Sequence, residues 1–177
     1  MATPSSPLAQ RALLLGDEHA SLRLGRALAR WLAVNEPLLA ARGFCLWLSG
    51  DLGAGKTTVI RALLRALGVT GSVKSPTFTL LEPYVISSLN FYHFDFYRFS
   101  EAAEFDSAGF RDLLGPGAVC AIEWPEKAQG WLPTPDLALT LNVQDAGRLA
   151  ELAAYTEAGD ACLQQVIANW ETTAGAA

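Results

Sequence analysis

Two periodicities divide the chain into helices and strands. From Asp17 to about Val34, Ala20, Leu24, Ala27, Leu28, Trp31 and Leu32 fall on one face of a 3.6-residue repeat, with His19, Arg23, Arg26 and Arg30 opposite. Asp17 has the short acceptor side chain that caps a helix N-terminus. The arginine stripe reads as a solvated face, with a binding patch as its alternative. Asn35 to Gly43 connects this helix to the apolar run Phe44–Leu48, a strand, and a second helix runs from Lys56 to a stop at Leu67-Gly68. Tyr84–Ile86 and Leu89–Phe94, split by Ser87-Ser88, predict an antiparallel hairpin. Glu101–Leu114 reads as short helices broken around Gly109, and Ala118–Glu123 as a buried strand. Leu137–Val143 and Arg148–Tyr155 predict a second hairpin around Asp145-Ala146-Gly147, and residues 159–170 a closing helix. Residues 1–16 are expected to be a loose lead-in, 17–171 one domain and 172–177 a frayed tail.

The stretch between the first strand and its helix changes this picture from architecture to chemistry. Gly50-Asp51-Leu52-Gly53-Ala54-Gly55-Lys56-Thr57 is a G-x-x-x-x-G-K-T sequence in strand-to-helix context, as a phosphate-binding loop requires. Polyphosphate oxygens lie against backbone N–H groups, so the loop needs glycines that accept φ > 0 and let the main chain approach. The following helix aims its free N–H groups and positive dipole end at the same anion. Lys56 is placed to reach β/γ-phosphates, and the Thr57 hydroxyl to ligate Mg²⁺.

Three further segments carry candidate chemistry. Ser75-Pro76-Thr77-Phe78-Thr79 is extended by its proline and is positioned either as a nucleotide-sensing switch or as an ordinary edge segment. In His93-Phe94-Asp95-Phe96-Tyr97-Arg98, alternation sets His93, Asp95 and Tyr97 against Phe94 and Phe96. Asp95 is then a polar group among aromatics, able to orient a water or Mg²⁺ or to pair with Arg98, while His93 reads as a packed or hydrogen-bonded core residue. Ala118-Val119-Cys120-Ala121-Ile122-Glu123 delivers a carboxylate to the C-terminal end of a buried strand, the Walker B pattern. Trp124 just beyond it suits either the core or a protein contact.

Composition then excludes several classes. Apolar residues make up 51% and charged residues 18%, which fits a compact α/β protein and argues against broad disorder. Thirteen Lys and Arg against eighteen Asp and Glu give a formal charge of −5, so any link to RNA is expected to run through a partner. Cys45, Cys120 and Cys162 fit neither a disulfide framework nor a zinc site. The N-terminus lacks a secretory pattern and no apolar run approaches bilayer-spanning length. The expectation is a cytosolic, soluble protein.

With these motifs in their order, the chain resembles the TsaE (YjeE) family, the small ATPase of the bacterial machinery that makes N6-threonylcarbamoyladenosine at position 37 of certain tRNAs. The likeness rests on Gly50 to Thr58, Lys74 to Leu80, His93 to Arg98 and Ile122-Glu123-Trp124-Pro125-Glu126, and spans about residues 17 to 155. It implies that Thr57 and Glu123 hold Mg²⁺, that Lys56 neutralises phosphate charge, that Asp95 is required for hydrolysis and that the loop bearing Thr77 is the switch. Glu18, Glu126 and Arg148 match further nucleotide contacts of the family. Its partners would be TsaD-like and TsaB-like subunits, with Trp124 a contact, and tRNA would be met only indirectly.

The expectation is therefore an α/β, P-loop NTPase-like three-layer domain: a mixed β-sheet with a parallel core and antiparallel hairpins, helices on both faces. The expected activity is Mg²⁺-dependent conversion of ATP to ADP, slow until partners complete the site, with Lys56, Asp95 and Glu123 catalytic. A small-molecule kinase is disfavoured because only Arg98 and Arg111 lie between Ser75 and Leu114, too few for an arginine-rich lid. A nucleotide-binding assembly module without turnover is the other alternative. A GTPase lacks support because no Asn-Lys-x-Asp sequence is present.

Overall fold

The structure is a computed structural model that describes residues 6–145 and 147–174. Residues 1–5 of the expected lead-in, Ala146 of the second hairpin turn and residues 175–177 of the expected tail lie outside the described residues.

A seven-stranded sheet orders the chain: β1 (Ala9–Leu15), β7 (Gly147–Ala154), β6 (Leu137–Gln144), β2 (Phe44–Ser49), β5 (Ala118–Glu123), β4 (Leu89–Asp95) and β3 (Leu81–Ile86), in that spatial sequence. β6, β2, β5 and β4 run parallel; β7 and β1 on one side and β3 on the other pair antiparallel. Parallel strands must be covered on both faces, and the central β5 is buried at every residue.

One face carries α1 (Glu18–Val34), α3 (Lys56–Ala66) and α5 (Glu157–Ala174) over a large aliphatic core. The other is covered by the single-turn α4 (Glu104–Ser107), which contributes Phe105, and by 3₁₀ turns at Phe110–Leu113 and Pro125–Ala128, packed on Phe94, Phe96 and Phe99. Phe94 at the end of β4 and Phe96 just beyond it thus anchor the second core, while Phe91 joins the first.

Local chemistry accounts for the helix ends. Asp17 accepts the Ala20 N–H at 2.8 Å and caps α1. α1 and α3 cross closely because Gly25 has no side chain: a Cβ there would stand 2.7 Å from the Ala62 Cβ and meet the Val59 carbonyl. β1 ends with Leu15 opposite Arg148, the partner of Val143 near the end of β6, so α1 starts at the same edge of the sheet as the phosphate loop.

Three expectations need correction. Residues 9–15 are not a loose lead-in but strand β1, registered on β7 from Ala9↔Ala154 to Leu15↔Arg148. Their backbone groups find partners far along the chain, which a local pattern does not reveal. Likewise, part of Asn35 to Gly43 is a helix, α2 (Glu36–Arg42), opened by Pro37 and stopped at Gly43 with φ 75°. The closing helix α5 also reaches into the expected tail.

Candidate functional site

β2 ends at Ser49 and the chain turns through Gly50–Gly55 into α3. Gly50 (φ 133°) lies where a Cβ would strike the Leu141 carbonyl, and Gly53 (φ 81°) and Gly55 (φ 108°) occupy backbone conformations that glycine adopts freely. Ala54 is fully buried beneath the loop; its N–H binds the Asp51 carbonyl at 3.0 Å, and its carbonyl accepts from Arg148 Nε at 3.0 Å. β7 therefore braces the loop from the side.

The first bond of the α3 ladder runs from Val59 N to Gly55 O at 3.1 Å. The N–H groups of Lys56, Thr57 and Thr58 precede it and are open to an anion at the positive end of the helix. Lys56 Nζ lies 2.6 Å from the Gly50 carbonyl, 3.0 Å from the Asp51 carbonyl and 4.2 Å from the Trp124 ring centre. Burial holds its ammonium below the ordinary lysine range, opposed by the carboxylates of Glu123, Asp95, Glu126 and Asp51.

Two strand ends deliver the acids. Asp95 and Glu123 are register partners on β4 and β5, and Glu123 pairs with Leu48 on β2. Glu123 Oε1 accepts from the Thr57 hydroxyl at 2.7 Å and from His93 Nε2 at 2.9 Å. Asp95 Oδ2 accepts from the hydroxyls of Ser75 and Thr77, the latter at 2.9 Å, while Oδ1 accepts the Tyr97 N–H at 2.9 Å. Asp95 does not pair with Arg98, whose guanidinium sits 4.2 Å from the Phe78 ring centre. The loop bearing Ser75 and Thr77 is closed by Leu80, held at φ 65° by bonds to the Pro76 carbonyl and from the Asp95 N–H. Trp124, also left-handed at φ 59°, packs against Tyr97 with ring centres 5.1 Å apart.

These groups surround one cavity of about 220 Å³ lined by Leu52, Gly53, Gly55, Lys56, Thr57, Thr58, Ser75, Thr77, Asp95, Tyr97, Glu123 and Trp124. The other predicted residues hold its frame. Gly50, Asp51, Ala54 and Arg148 shape the loop, and Glu126, in the turn after β5, adds negative potential at Lys56. Glu18 begins α1 at this edge but is exposed, with no side-chain hydrogen bond among the described residues. Two links escape sequence reasoning: the bond from His93 to Glu123, and the double grip of Ser75 and Thr77 on Asp95. Placing His93 and Asp95 on one strand face was the available signal.

The donor set fits Mg²⁺ rather than a softer metal. Thr57 and Glu123 offer hard oxygens 2.7 Å apart at the start of α3, and no group of three or more His, Cys, Asp or Glu able to form a closed metal cage exists among the described residues. Mg²⁺ keeps most of its ligands as water and phosphate oxygens, so two protein oxygens suffice.

A phosphate loop at the carboxyl ends of parallel strands, facing two strand-end acids, places the molecule among P-loop NTPase-like nucleotide domains. Comparison with known proteins then narrows the class. The family model described as "Threonylcarbamoyl adenosine biosynthesis protein TsaE" matches residues 15–150. The protein named "tRNA threonylcarbamoyladenosine biosynthesis protein TsaE" from Haemophilus influenzae is 42% identical over 143 residues, covering 81% of this chain and 89% of that one. The protein of the same name from Rickettsia felis is 34% identical over 137 residues, covering 77% and 75%. The crystal structure of Bacillus subtilis YdiB shares the fold, with a TM-score of 0.67 and 24% identity over 92% of this chain and 97% of the other. The chain belongs to the TsaE family.

Proposed function

We propose that this chain hydrolyses ATP to ADP in support of the multi-subunit enzyme that makes N6-threonylcarbamoyladenosine at position 37 of tRNAs. The observation that carries the reading is the convergence of Lys56, Thr57, Asp95 and Glu123 on one cavity at the end of the parallel strands, in a chain related along most of its length to proteins named for that biosynthesis.

The triphosphate lies along the Gly50–Thr58 backbone, with the Lys56 ammonium against the β/γ-phosphates. Thr57 and Glu123 would hold Mg²⁺, which supplies charge neutralisation to the phosphates when bound. Asp95 orients the attacking water, and the hydroxyls of Ser75 and Thr77 tie the position of their loop to the state of that carboxylate. Most of the rate enhancement comes from fixed charge and fixed dipoles rather than covalent chemistry.

Partner proteins complete the site. Leu52, Phe78 and Tyr97 are exposed and Trp124 is half-buried around the cavity, which supports contact there with TsaD-like and TsaB-like subunits. The net charge of −5 favours indirect dealings with tRNA. No helix among the described residues is long and apolar enough to cross a membrane, which is compatible with action in the cytoplasm. The test is steady-state ATP hydrolysis by the chain alone and with both partner subunits. The reading expects clear stimulation by the partners; equal rates in the two mixtures contradict it.

A further inference from the structure

The least explained buried group in the molecule is His93. Its side chain is fully buried, yet only one ring nitrogen is used: Nε2 bonds Glu123 Oε1 at 2.9 Å, and Nδ1 has no hydrogen-bonding partner among the described residues. A histidine kept for core packing alone would be poorly chosen, because an apolar ring of similar size avoids the buried, unpaired nitrogen. What the imidazole supplies is one directed N–H.

The sheet register sets where that donor points. His93 stands beside Ala121, and Asp95 beside Glu123, so the imidazole reaches diagonally from β4 toward the next acidic position on β5. Phe91 and Val119 fill the row beneath, on the same face. A carboxylate oxygen only accepts, so Nε2 carries the proton in this bond. Glu123 Oε1 then receives two donors from different elements, Thr57 at the start of α3 and His93 on the neighbouring strand. Two donors on one oxygen fix the rotation of the carboxyl group and leave Oε2 for a further ligand. With Thr57 alone, the carboxylate could pivot about a single contact.

We propose that His93 is a positioning residue: its Nε2–H presets the Glu123 carboxylate for the Mg²⁺ ion that accompanies the nucleotide, without touching nucleotide or metal itself. The inference rests on the reading of Thr57 and Glu123 as the metal-holding pair. Second-layer donors of this kind typically govern metal affinity by 10- to 100-fold.

The test measures binding of a fluorescent ADP analogue to the full chain in EDTA and across a Mg²⁺ titration, with no turnover involved. His93→Phe keeps the ring volume and removes the donor; His93→Asn places an amide nitrogen near Nδ1; His93→Gln places one near Nε2. The expected result is EDTA affinity within about twofold of the original for all three. The Mg²⁺ concentration for half-maximal tightening should rise about tenfold or more in the Phe and Asn variants and stay near the original in the Gln variant. A Phe variant that keeps the original Mg²⁺ response overturns the proposal. So does loss of that response in the Gln variant together with the other two, which would mark His93 as a packing residue. Absence of any Mg²⁺ effect in the original protein overturns the metal-holding assignment beneath it, a result distinct from both.

Discussion

Carboxylates are buried at both edges of the parallel core, and the balance of fixed donors and rotatable hydroxyls around them differs. At the amino-terminal edge, Asp136 accepts from the Arg42 guanidinium at 2.6 Å, the Cys45 N–H at 2.8 Å and the Thr156 hydroxyl at 2.6 Å. Its own backbone bonds the Cys45 carbonyl and the Tyr155 N–H, and Gly159 packs directly on its carbonyl. Asp136 thereby ties the start of β6 to β2 and to the turn that opens α5. At the opposite edge, Asp95 and Glu123 take hydroxyls from Ser75, Thr77 and Thr57, which rotate and can serve another acceptor or a metal. Asp136 is held by a guanidinium and a backbone N–H, with a single hydroxyl added, whereas Asp95 and Glu123 each keep one fixed N–H donor, from Tyr97 and His93, and fill their other hydrogen bonds with hydroxyls that can turn away. The first arrangement suits stability and the second suits exchange with a ligand.

The largest effect that would sharpen this contrast is on stability. Asp136→Ala strands Arg42, the Cys45 N–H and Thr156, and is expected to cost about 3 kcal/mol in urea unfolding. Nucleotide affinity of the folded fraction should change less than about twofold, since the two edges share no side chains. Asp95→Asn should do the reverse, with stability within about 1 kcal/mol of the original and ATP turnover down about 10²-fold. If both variants lowered stability equally, the distinction between the edges would fail.

Next in size is the crossing that carries the phosphate loop helix. Gly25→Ala drives a methyl group into the Val59 carbonyl and Ala62. The expected cost is about 2 kcal/mol by chemical unfolding, with α1 displaced from α3. A neutral substitution would mean that the helix layer is looser than this contact indicates.

A smaller effect reads the core between the edges. Burial pushes the Cys120 thiol from its ordinary value of 9.0 up to about 12, and also raises Cys45 and Cys162. Above pH 9 the unfolded chain loses these protons first, so the folded state binds more of them. Stability is then fully present below about pH 9 and falls as pH rises toward 12, by at most about 1.4 kcal/mol per pH unit for each thiol. Cys120→Ala should make that alkaline decline shallower, and thiol reagents at pH 8 should label the native protein only as fast as it opens. Rapid labelling of all three cysteines would contradict this burial.

Local and long-range contacts also differ in what the sequence reveals of them. The phosphate loop, the Asp17 cap, the glycine stop at Gly68 and the strand ending in Glu123 are set by neighbours within a few residues, and local patterns expose them. β1 is different: Ala9–Leu15 carries three consecutive leucines rather than clean alternation, and its partner strand lies some 140 residues away. α2 is only seven residues long and buries only Leu39, so its hydrophobic period is too short to register. The Asp136 cluster and the His93–Glu123 bond depend on strand register and chain reversal. They become visible only when residues distant in sequence stand side by side.

We infer that the carboxyl edge of this sheet is a triphosphate site built on the loop backbone and one ammonium. Calorimetric titration of ATP with Mg²⁺ into the original chain and into Lys56→Ala tests it most directly. Binding by the original chain should be saturable and one-to-one, and weakened about 10²-fold in the variant while the fold is retained. Undiminished binding by the folded Lys56→Ala chain would contradict it.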